Sequence, residues 1–211
     1  SVPATRSTDG SDNLGFRNET QRPRSPPTGY GGGIPVKSVY LAGPDVFLPE
    51  AGSHASEQKA LCREHGFEPR HPLDQTDLSS PGIFRTNVSL IRNADAVVAN
   101  LNPFRGAEVD SGTAFEIGFA AALGKPVVGY VSQPENLMQR VERLHGELAF
   151  DAAAETWRDK DGNLVENFGH TVNLMLAESC TAIVVGGLEQ ALIRLDECRT
   201  EGDNAGPELS R

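Results

Sequence analysis

The chain has 211 residues, 38% hydrophobic and 23% charged, enough to bury a core without metal or disulfide staples. Its 29 acidic and 19 basic residues give a formal charge of -10, which argues against nonspecific binding to a nucleic-acid polymer. No run of about 18 apolar residues spans a membrane, and three cysteines (Cys62, Cys180, Cys198) suggest no disulfide framework but a reducing, cytoplasmic compartment.

Residues 1–35 are rich in Ser, Thr, Pro, Gly and Arg and nearly lack aliphatics, so the composition predicts a disordered arm. No apolar leader segment is seen there, and no secretory signal is expected. The arm holds four arginines against three acids; the acidity therefore belongs to a folded domain expected over 36–211. From residue 36 the pattern alternates. Strands are expected at Val36–Ala42, Phe67–Arg70, Asp95–Leu101, Pro126–Val131 and Ala182–Val185. Helices are expected at Pro49–His65, from Ser80-Pro81 with Ser80 as cap, over 112–123, Glu135–Leu144, Thr171–Ser179 and Leu188–Cys198. Asp161-Gly162 reads as a hairpin turn in the less regular stretch 150–168. Such alternation predicts an α/β fold with a parallel sheet covered on both faces. Ligands then bind beyond the carboxyl ends of the strands.

The richest segment runs from Leu101 to Gly118, out of a buried strand, across a polar loop and into a helix. Asp110 would sit just before that helix and Glu116 in its first turn, where the helix dipole favours an ionised carboxylate. Such a carboxylate could be a nucleophile or hold sugar hydroxyls. Thr113-x-x-Glu116 also reads as a capping box, which would make Glu116 structural. Tyr40, near the ligand end of the first strand, could hydrogen-bond a carboxylate or simply fill the core. Asp74 could bind ligand or cap a turn, and Asp95, at the start of its strand, reads as structural. No Walker A or Rossmann glycine pattern follows a strand. The Asp159–His170 stretch fails as an EF-hand, and Cys62 with His65 makes an isolated pair, so no metal is expected. No cofactor is implied.

The segments Val39–Pro44, Ala94–Leu101, Asn102–Gly106, Asp110–Gly118 and Gly124–Tyr130, in this order and spacing, resemble the nucleoside 2-deoxyribosyltransferases. The resemblance spans about residues 37–195. It implies a flavodoxin-like, doubly wound, five-stranded parallel sheet with helices on both faces. It also implies a ping-pong exchange: a nucleophilic Glu takes deoxyribose from one base and hands it to another with retention. That Glu falls on Glu116. By the same resemblance Tyr40 would orient it, Asp110 would contact substrate, and Phe47 would line the base pocket. Gly43, Asp74, Gln75 and Asn87 fall among the substrate-binding positions. Asn173 and Met175 would be lent by a neighbouring subunit, making the protein a homo-oligomer. The implied ligands are 2′-deoxynucleosides and free nucleobases. Where some members carry an Asp, this chain has Asn87, which cannot protonate a departing base. Asp74, Asp110 or a water remain for that task. Two other readings stay open: an N-glycosidase of 2′-deoxynucleoside 5′-monophosphates, and a non-catalytic nucleoside-binding module.

Overall fold

The computed structural model describes residues 36–204. The arm predicted over 1–35 lies outside the described residues. Five strands form the central sheet: β1 (Ser38–Ala42), β2 (Glu68–Arg70), β3 (Ala96–Asn100), β4 (Val127–Val131) and β8 (Ala182–Val185). Their order is β2-β1-β3-β4-β8, and every pairing is parallel. This is the doubly wound flavodoxin-like arrangement, and the predicted five strands are the observed ones.

Alternation along the strands divides the core. Val39 and Leu41 of β1 pack with Val98 and Val128 against α1 (Ala51–Glu64) and α6 (Leu188–Asn204). Tyr40 and Ala42 face the other way, with Val97, Ala99 and Val127, towards α2 (Ser80–Asn93), α3 (Ser111–Ala122) and α5 (Leu174–Ser179). Val39, Val97, Val127, Ile91, Ile117 and Leu192 are fully buried, and each such side chain stabilises the fold by about 1.5–3 kcal/mol.

Helix starts shift from the expected positions by where a side chain can reach a free N–H. Ser79, not Ser80, caps α2 by accepting from the Gly82 N–H at 3.2 Å, which puts Pro81 in the first turn. Asn136 caps α4 (Leu137–His145). Asn173 caps α5, which is why that helix does not extend back to Thr171. The hairpin at Asp161-Gly162 belongs to a small antiparallel sheet of β5 (Ala149–Asp151), β6 (Thr156–Arg158) and β7 (Leu164–Val165). Among the described residues no helix is long and apolar enough to cross a membrane.

The strand order reverses between β1 and β3. Chain leaving β1 turns to one face of the sheet and chain leaving β3 to the other, so a crevice opens beyond Ala42 and Asn100.

Candidate active site

At that crevice Tyr40, fully buried in β1, donates its hydroxyl hydrogen to Glu116 Oε1 at 2.5 Å. Glu116 lies in the second turn of α3, not the first, and is only partly buried. The capping box expected at Thr113 and Glu116 does not form. Asp110 is the N-cap, its Oδ2 accepting from the Thr113 N–H at 3.0 Å and the Thr113 hydroxyl at 3.1 Å. Asp is the stronger cap, and it places Thr113 at the third helical position as a donor. Glu116 is thereby left to Tyr40. Burial pushes the Glu116 carboxyl up to about 7; the Tyr40 hydrogen bond pulls it down and the nearby Asp110 charge raises it. Burial, then the Glu116 charge, raises the Tyr40 phenol, so Tyr40 stays a donor.

Around this pair the structure distributes the other expected residues unevenly. Gly43 follows β1 where a Cβ would meet Asp45 Oδ2 at 2.8 Å and Asn100 Cβ at 2.9 Å, so only glycine fits between the two loops. Phe47, 55% exposed, stacks on Phe104 with ring centroids 5.4 Å apart, and the Arg105 guanidinium lies over both rings. Asp74 is engaged as a turn cap: it accepts from the His71 N–H at 3.2 Å and pairs with Lys59 at 2.7 Å. Burial raises its carboxyl, but those hydrogen bonds outweigh it and the net shift is downward. Gln75 Oε1 and Asn87 Oδ1 are buried without a hydrogen-bond partner among the described residues. Asn173 accepts from the Met175 N–H and donates to Glu166 Oε1 at 2.7 Å, while Met175 is 69% exposed. Asn173, Arg105, Glu108, Leu137 and Glu166 help line a cleft of about 460 Å³. Asp95 is structural as expected, its Oδ2 accepting from the Lys37 and Ser38 N–H groups and the Ser38 hydroxyl. No group of three or more His, Cys, Asp or Glu side chains is placed for a metal among the described residues.

Sequence reasoning missed a polar relay along the rim. The Asn100 amide donates to both Asp45 carboxylate oxygens at 3.1 Å, and Asn100 Oδ1 accepts from the Asn102 side chain at 2.7 Å. Asn102 Oδ1 accepts from the Ser132 N–H at 2.8 Å. The loops after β1, β3 and β4 are thus stitched together. Behind Asp45, buried His71 accepts from the Leu73 N–H through Nδ1, so its Nε2 carries the proton and donates to Gln58 Oε1. Gln58 passes its own N–H to Asp45 Oδ2 at 3.3 Å. Burial lowers the His71 pKa, which keeps the ring neutral in this role. An Asn at the carboxyl end of a strand beside the switch point was the available signal.

A family model described as nucleoside 2-deoxyribosyltransferase matches residues 39–175. A solved 2-desoxiribosyltransferase from Leishmania mexicana is 36% identical, covers 76% of this chain and 97% of its own, and superposes with a TM-score of 0.62. A 2-deoxyribosyltransferase from Bacillus psychrosaccharolyticus is 27% identical over 51% of this chain and 82% of its own, with a TM-score of 0.39. A Schizosaccharomyces pombe protein described as uncharacterized is 30% identical over 66% of this chain and 75% of its own length.

Proposed function

The chain belongs to the nucleoside 2-deoxyribosyltransferase family, enzymes acting on N-glycosidic bonds, and we propose that it exchanges 2-deoxyribose between nucleobases through Glu116. The observation that carries this reading is the Tyr40–Glu116 pair at the switch point, a carboxylate held at 2.5 Å by a phenol on a residue that is only partly buried. An ionised Glu116 attacks the anomeric carbon of a 2′-deoxynucleoside and the base departs. A second base attacks the resulting ester from the opposite side. Two inversions retain configuration, as in retaining glycosidases with a base in place of water. The substrate lacks a 2′-hydroxyl, whose electron withdrawal would oppose the positive charge building at the anomeric carbon.

Asp110 caps α3 with one carboxylate oxygen; the other takes a sugar hydroxyl. A carboxylate there repels a 5′-phosphate, which favours nucleosides over nucleotides. Gln75 and Asn87 hold the base, and their unpartnered buried oxygens support that role. Phe47, resting on Phe104, covers the base. The exposed Met175 and neighbouring Asn173 complete the site of a second copy of the chain, so the active form is an oligomer.

Incubation with 2′-deoxyinosine and adenine should yield 2′-deoxyadenosine and hypoxanthine, and Glu116→Ala should abolish both. Free deoxyribose as the main product would replace transfer with hydrolysis. Binding without turnover, unchanged in Glu116→Ala, would leave a binding module.

A further inference from the structure

Arg70 ends β2 and pairs in register with Tyr40. Its neighbour Pro69 pairs with Val39, which faces α1 and α6, so alternation turns Arg70 to the Tyr40 face, the side of Glu116 and α2. There its Nε is buried and has no hydrogen-bond partner among the described residues. No described carboxylate forms an ion pair with this guanidinium, although the folded part is strongly acidic. Burying part of a cation without a partner is costly. The two other buried orphans, Gln75 Oε1 and Asn87 Oδ1, belong to the turn that follows β2 and to the helix over that edge of the sheet. Three polar atoms without a partner among the described residues, one of them on a cation, thus belong to β2, the turn after it and the helix α2 on the Tyr40 face of the sheet.

We propose that Arg70 is a catalytic residue that carries the negative charge arriving on the departing base. The inference rests on the transfer reading above. As Glu116 forms its bond to the anomeric carbon, the carbon–nitrogen bond breaks and its electron pair goes to the base. One negative charge thus moves from the Glu116 carboxylate to the base, and the sugar ester is left neutral. Asn87 has no proton to give. Asp74 is held ionised by Lys59 and the His71 N–H, and Asp110 accepts hydrogen bonds as the cap of α3. The base therefore departs as an anion facing the guanidinium and takes a proton from water on release. In the return step an incoming base gives its N–H proton to water, and its anion is held by the same cation. Its nitrogen bonds to the anomeric carbon as the ester bond breaks and Glu116 leaves as a carboxylate. A guanidinium is suited to this because it never deprotonates; it stabilises charge without acting as an acid.

The test compares two leaving groups. Hypoxanthine in 2′-deoxyinosine departs as an anion. The base of 7-methyl-2′-deoxyguanosine is cationic beforehand and departs neutral. Arg70→Met keeps the length and removes the charge. It should lower the kcat/KM ratio of 2′-deoxyinosine to 7-methyl-2′-deoxyguanosine about 100-fold, the usual effect of removing one charge-stabilising donor. Arg70→Lys should recover part of that ratio. Thermal unfolding of Arg70→Met should match the wild type, because the described residues give its guanidinium no hydrogen bond or ion pair to lose. An equal fall for both substrates would make Arg70 structural and overturn the inference. A loss confined to 5′-monophosphates would make it a phosphate ligand, with the same consequence. Failure of the wild type to turn over either substrate would instead sink the transfer reading itself.

Discussion

A carboxylate that titrates near neutrality is a weak nucleophile in acid and a competent one in base, so the Tyr40 hydroxyl governs how much Glu116 is available at a given pH. Its hydrogen bond favours the ionised form and lowers the Glu116 pKa, whereas burial and Asp110 raise it. Tyr40→Phe leaves the two raising influences unopposed. The acid limb of the kcat/KM profile, expected near the Glu116 pKa of about 7 in the wild type, should then move to higher pH. The loss should be largest near pH 6 and shrink as pH rises. A uniform fall across the whole range would mean that the hydrogen bond does not set the ionisation. The residues alone left Tyr40 as a carboxylate partner or a core tyrosine and Glu116 as a nucleophile or a capping glutamate, and only the family resemblance joined the two. They sit 76 positions apart, and no local spacing reveals that the sheet brings them together.

Helix α3 shows how one residue carries both an element and its chemistry. Asp110 closes the first turn through Thr113, and loss of such a cap costs about 1 kcal/mol. Asn supplies the same acceptor without the charge. Asp110→Asn should therefore melt close to the wild type while Asp110→Ala melts lower, and both should turn over nucleosides poorly. Wild-type turnover in either variant would reduce Asp110 to a cap. Element existence was readable along the chain because apolar strands and helical faces alternate so regularly after residue 36. Element starts were less so. Ser79 and Ser80 are chemically alike, and only the reach to the Gly82 N–H separates them.

For the molecule as a whole, the parallel sheet followed from alternation, and its five-stranded, doubly wound form from the resemblance. The rim did not. Asp45 and Asn100 are 55 residues apart, and Asn102 and Ser132 are 30 apart, so their bonds exist only once the strands are ordered. Assembly belongs to this scale too. If Asn173 and Met175 serve a neighbouring site, chains carrying Glu116→Gln and chains carrying Asn173→Ala each fail alone. Unfolded and refolded together, they should regain turnover, because some sites then pair an intact Glu116 with an intact Asn173. No recovery in assemblies verified to contain both chains would mean that each site is built from one chain.

The stitched rim also bears on how such a molecule can change over generations. Gly43 has no space for one more carbon, and Asn100 is bonded on both sides, so this half of the mouth tolerates almost no variation. Phe47 and Phe104 touch each other above it, and Phe47 is more than half exposed. New preferences for a base can therefore arise at the aromatic pair, while the frame beneath is inherited unaltered.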